Sequence, residues 1–148
     1  MRKALAARSW DAVYPVLRAA GAVLVLYWVA IFTATHLPAR LLPRLSSDKF
    51  YHLAAFSGLA FLLAAVIPVR KVGAGLHIFC VLAVALGYAC FDEWSQQFAA
   101  GRSMDVYDLI ADAGGTVLGL LTFLLVARTA AFKRFLHPMT AKLRNIPS

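Results

Sequence analysis

Charge is scarce in this sequence. Only 15% of its 148 residues are Asp, Glu, Lys or Arg, and the acids among them number seven. A soluble domain carries about 25% charged residues, so a water-facing globule, a coiled coil and a disordered chain are all excluded. Cysteine is almost missing too. Cys80 and Cys90 lie in one apolar stretch, which leaves neither a disulfide framework nor metal-ligand spacing. Internal repeats, low-complexity tracts and the composition shift that would mark a second domain are also absent.

What is there is apolar. Residues of the AVILMFWYC set make up 61% of the chain, and the mean hydropathy is +0.72. That is more apolar surface than a globule of this length can bury. Four segments, about 19–35, 50–69, 72–98 and 105–127, approach the roughly 20 residues needed to cross a bilayer core of about 30 Å. The first carries no charge, and His52 interrupts the second. The third stays uncharged to Phe91 and then turns polar from Asp92 to Gln97, while the fourth has Asp105, Asp108 and Asp112 in its first two turns. The links hold breakers: Pro38 and Pro43, then Gly73 and Gly75, then Gly101. Short links make sequential helices antiparallel neighbours. The expected fold is therefore all-α, a polytopic membrane protein built as an antiparallel four-transmembrane-helix bundle. It forms one domain over residues 1–148, with basic tails at 1–18 and 128–148.

The net charge is +8. On a soluble domain that would point to nucleic acid, but here the basic residues gather at the chain ends and read as membrane topology. Arg2, Lys3, Arg8, Arg18, Arg70, Lys71, Arg128, Lys133, Arg134, Lys142 and Arg144 fall on one side, eleven in all, against four (Arg40, Arg44, Lys49 and Arg102) on the other. The positive-inside rule then places both termini in the cytoplasm of an inner membrane. Membrane lipids become the expected partners, the tails lying against anionic headgroups, and nucleic acid does not. A cleaved signal peptide fits poorly, because the charged lead is long and no A-x-A-like site follows the first apolar run.

Six of the seven acids, namely Asp48, Asp92, Glu93, Asp105, Asp108 and Asp112, fall on the side opposite the termini, with His36 and His52 at the same level. At 1.5 Å per residue, Asp112 lies roughly 10 Å along its helix from Asp105, and Glu93 roughly 7 Å inward from Phe98. Carboxylates at that depth cost about 2.5–3.5 kcal/mol at a helix centre, so they face the bundle interior or a wet pocket and mark a functional site by default. Spacing supports convergence. Asp48 and His52, and Asp92 and Gln96, are four apart; Lys49 and His52, and Glu93 and Gln96, are three apart. Asp105, Asp108 and Asp112 step by three and four, and the same face continues to Gly115 and Gly119, a G-x-x-x-G pair that permits close helix approach.

These residues resemble the VanZ-like family of small bacterial membrane proteins, over most of the chain from Ile31 to Gly119. Ile31-Phe32 with His36-Leu37-Pro38 is similar to that family's first-helix ending. Asp48-Lys49 with His52 and Phe56 resembles its D-K-x-x-H-x-x-x-[YF]. Asp92-Glu93, Gln96, Phe98 and Gly101-Arg102-Ser103 resemble D-E-x-x-Q-x-F-x-x-G-R-S, and Asp108, Asp112, Gly115 and Gly119 resemble D-x-x-x-[DN]-x-x-G-x-x-x-G. Ala100 departs from a frequent proline, and Ala55 from a common acid. The resemblance implies a cell-envelope accessory protein of the kind associated with resistance to the glycopeptide teicoplanin. By analogy its ligand would be a lipid-linked wall precursor or a glycopeptide.

Three readings of the polar set stay open. Glu93, Asp112 and His52, with Asp108, form a candidate acid/base set or hold a divalent cation such as Zn²⁺ or Mn²⁺. Alternatively Asp48, Lys49, Asp92, Gln96, Arg102 and Asp108 bind a ligand without catalysis, Lys49 and Arg102 taking a phosphate. The bland reading is a buried network that fixes helix register, with Lys49 and Arg102 pairing with Asp48, Asp108 or Asp112 and Gln96 as interhelical glue. Trp94, Phe98 and Tyr107 read as interfacial anchors rather than sugar platforms, Asp105 as a helix cap, and His77 and His137 as interface residues. Gly115 and Gly119 are also candidates for an oligomer contact. A transporter is disfavoured, since the other halves of the helices lack polar residues.

Overall fold

In the computed structural model, residues 2–38, 48–67 and 73–129 are described, with side chains from residue 18 onward. They form α1 (Arg2–Thr35), α2 (Asp48–Val66), α3 (Ala74–Gln96) and α4 (Val106–Arg128), and no strand occurs among the described residues. The expected side chains of Arg2, Lys3, Arg8, Arg40, Arg44, Arg70 and Lys71, and the tail with His137, lie outside them.

The helix bounds follow local chemistry. The basic lead expected as a tail is instead the first half of α1, which runs 34 residues; Ala, Leu, Arg and Lys are among the better helix formers. Its apolar part begins at Arg18. Helix α2 starts two residues before the expected bound, with Asp48 in the first turn where the dipole favours an acid. It stops before Ile67, the residue whose helical conformation Pro68 disfavours. Gly73, at φ 80° and ψ 158°, opens α3 in a conformation that only glycine takes without strain. Asp105 caps α4 as expected, accepting from the Tyr107 amide at 2.8 Å.

Sequential helices alternate in direction, but the closest pair is not sequential. Helices α2 and α4 run parallel and lie against each other along most of their length. A β-carbon added at Gly115 would sit 2.3 Å from the Leu53 carbonyl oxygen, and one at Gly119 2.0 Å from that of Ser57. The glycine pair is thus packed against α2 within the chain. Ser57 adds a hydroxyl bond to the Gly115 carbonyl at 3.0 Å. In lipid there is no hydrophobic drive between helices, so such close packing and interhelical hydrogen bonds carry the association.

The core runs along the inner faces, with Phe56, Leu59, Ala60, Val81, Ala85 and Ala89 fully buried. Helix α1 contributes Leu24 and Ile31, and Trp28 meets Tyr88 edge-on with centroids 5.0 Å apart. The outside is as apolar as the inside: Leu26, Phe79, Ile110 and Leu125 are among many exposed large side chains. Water would not tolerate so extended a patch, and all four helices are long and apolar enough to cross a membrane. Trp94, Phe98 and Tyr107 stand outside the bundle, more than half exposed, as anchors should. His77 departs from its expected place at the interface. It is buried against Phe123, and neither ring nitrogen has a hydrogen-bond partner among the described residues.

Candidate functional site

The parallel run of α2 and α4 brings the starts of both helices to the end of the bundle where α1 and α3 finish. All nine expected site residues meet there: Asp48, Lys49, His52, Asp92, Glu93, Gln96, Arg102, Asp108 and Asp112. They form two arms joined by a strut.

The first arm lies between α2 and α4. Lys49 bridges Asp105 and Asp108. One turn deeper, His52 is 3% exposed, and its Nδ1 lies 3.0 Å from Asp112 Oδ1. The ring's other nitrogen, Nε2, faces Asp108 Oδ2 at 3.8 Å, beyond hydrogen-bond reach. Arg102, from the α3–α4 link, reaches Asp48 at 3.7 Å. The expected pairing of the two cations with acids is thus met, with Asp105 as a partner not foreseen.

The second arm lies between α1 and α3. Asp92 is fully buried and accepts from Thr35 at 2.9 Å, Tyr88 at 3.0 Å and Gln96 at 3.0 Å. Three donors compensate the cost of burying a carboxylate. His36 Nε2 meets the Ser95 hydroxyl at 2.9 Å, which ties the end of α1 to α3 again. Glu93 is the strut. It takes the backbone amide of Asp105 on one oxygen and Gln96 on the other, so α3 fixes the start of α4.

Asp105 lies outside the spans, and Lys49 and the Tyr107 amide hold its carboxyl below the ordinary range. An ionised Asp105 serves both as a helix cap and as the partner of Lys49.

Thr35, Tyr88 and Ser95 were not foreseen. Tyr88 and Ser95 sit four before and three after Asp92, spacings that place them on its helical face. Thr35 carries no such signal, because its partner is 57 residues away. Asp112 Oδ2, Thr116 Oγ1 and Arg102 Nε are buried without a hydrogen-bond partner among the described residues, and each sits in or just below the first arm.

Between α1 and α2 a cavity of about 240 Å³ opens beside this arm. Ile31, Ala34, Ala55 and Phe56 give it an apolar wall, and Asp48, His52 and Arg102 give it a polar end. Buried charge at one membrane level, apolar flanks and a cavity that joins the two define a polytopic membrane protein with an intramembrane polar site. The VanZ/LLP1 family model matches residues 10–127. The chain belongs to that family. No curated protein and no solved structure matches it.

Proposed function

We propose that the polar end faces the extracytoplasmic side and holds the anionic head of a lipid-linked envelope component. In this reading the protein is a cell-envelope accessory protein of the inner membrane, with both termini in the cytoplasm. The observation that carries it is the two-part cavity. An amphiphile needs an apolar wall for its chain and a cation for its head, and Arg102 supplies the cation, its Nε without a hydrogen-bond partner among the described residues. A guanidinium suits a phosphate because its planar fork can meet two oxygens. The excess of basic residues on the side of the termini supports the orientation.

The test is retention. Full-length protein in detergent, challenged with polyprenyl phosphate and then stripped of free lipid, should keep it in native mass spectra. Arg102→Ala should lose at least ten-fold in retention, and phosphatidylcholine should not compete. Equal retention of both lipids overturns the reading, whereas retention of teicoplanin alone would move it to the glycopeptide. Labelling of Ser103→Cys by an impermeant reagent on whole cells, in a background free of Cys80 and Cys90, tests the orientation. A metal-dependent hydrolase or transferase acting on a lipid-linked substrate is the second reading. It is favoured by ligand atoms of Asp48, His52 and Asp108 that all lie within 4.8 Å of one another.

A further inference from the structure

We infer that Asp48, His52 and Asp108 form a binding site for one divalent transition-metal ion, with Asp112 as the positioning residue that aims the imidazole. The inference rests on the polar end being a ligand site, as proposed above, and not on which lipid enters it.

Each donor has one atom committed to the protein and one left over. Asp108 gives Oδ1 to Lys49 and turns Oδ2 toward His52. His52 sets Nδ1 3.0 Å from Asp112, and in the tautomer with the proton on Nδ1 the lone pair lies on Nε2. That Asp–His arrangement, a carboxylate behind the ring and an open nitrogen in front, is how proteins orient metal-ligating histidines. Asp48 is half-exposed and closes the set from the first turn of α2. Zinc ligands sit about 2.0–2.2 Å from the ion, so two ligands of one ion are at most about 4.4 Å apart. The 3.8 Å between His52 and Asp108 fits already, and the ligand atoms of all three residues lie within 4.8 Å of one another.

Acids in proximity do not make a site, but a second feature points to a ligand. Arg102, with its side chain 10% exposed, lines the same cavity as Asp48 and His52 and has its Nε buried without a hydrogen-bond partner among the described residues. An anionic oxygen placed there would be shared between the ion and the guanidinium, which would satisfy both. One imidazole with two carboxylates favours Zn²⁺ or Mn²⁺ over Mg²⁺ or Ca²⁺, which prefer all-oxygen shells. Glu93 stands outside the set, since both its oxygens are engaged by Asp105 and Gln96.

The experiment is metal titration of the full chain in detergent after chelation, without added lipid. One equivalent of Zn²⁺ or Mn²⁺ should bind by calorimetry and elemental analysis. His52→Ala and Asp108→Asn should abolish that equivalent, and Asp112→Asn should weaken it about 10–100-fold, the usual loss when an outer partner is removed. Lipid retention by the unaltered protein is read in a separate experiment, so the two readings fail separately. Should His52→Ala not fold, pulsed electron paramagnetic resonance of Mn²⁺ on the unaltered protein must show imidazole nitrogen coupling. Absence of that coupling, absence of a stoichiometric ion, or unchanged affinity in folded His52→Ala overturns the inference.

Discussion

Along the α2–α4 seam two backbones touch, and along the α1–α2 seam one tyrosine spans the gap. The first contact is made at Gly115 and Gly119, against the carbonyls of Leu53 and Ser57. The second is made where the Tyr27 hydroxyl donates to the Ala55 carbonyl at 3.0 Å, over Gly58. The two seams divide the labour. The tight one holds His52 against Asp112 and Lys49 against Asp108, and leaves no space. The loose one leaves the cavity beside the polar end.

The largest effect should follow from breaking the tight seam. In Gly115→Ala/Gly119→Ala each new methyl meets backbone, which cannot swing aside. Overpacking costs about 1–3 kcal/mol per site, and here both sites push the same pair of helices apart. Thermal unfolding in detergent should show a destabilised or unrecoverable protein. A near-native melting temperature would mean that α2 and α4 are not in backbone contact.

Next comes the tie that holds the end of α1 to α3 at the polar end. Asp92→Ala removes an acceptor from Thr35, Tyr88 and Gln96 and leaves the Tyr88 hydroxyl with no other acceptor among the described residues; a buried donor without an acceptor costs about 1–3 kcal/mol. The end of α1 should then exchange amide hydrogens faster than α2 or α4 does. Uniform exchange in all the helices would show that Asp92 does not anchor α1.

Gly58→Ala gives a smaller loss. The added methyl would lie 2.2 Å from the Tyr27 hydroxyl oxygen, but a tyrosine tip can move. The expected loss is the hydrogen bond to Ala55, about 0.5–1.5 kcal/mol, read in the same melts. A loss as great as that at Gly119 would mean that the two seams are alike.

The contrast also separates what the amino-acid order makes plain from what it hides. Four spans follow from apolar run lengths, and the Asp105 cap from an acid just before such a run. The clustering of Asp48 with His52, and of Asp92 with Gln96, follows from one helical turn of spacing. The glycine face was legible as a place of close approach. Its partner was not, because a face says how near a helix can come and nothing of which helix comes. That is why the parallel α2–α4 pairing, and with it the meeting of His52 and Asp112, needed the structure. Thr35 was hidden for the same reason. His77 misled in another way, since a histidine near a helix start looks interfacial until its neighbours are known.

His77 offers the smallest effect and one of opposite sign, because it sits at the other end of α3 from the acids. It lies against Phe123, and neither nitrogen has a hydrogen-bond partner among the described residues. Buried polar atoms without hydrogen bonds are a net cost, and replacing them with apolar atoms of similar shape is close to neutral or stabilising. His77→Leu should therefore leave the melting temperature unchanged or slightly raised, with lipid retention and metal stoichiometry intact. A clear drop in stability would mean that the ring has a partner, and that polar pairing in this bundle extends beyond the end where the acids gather.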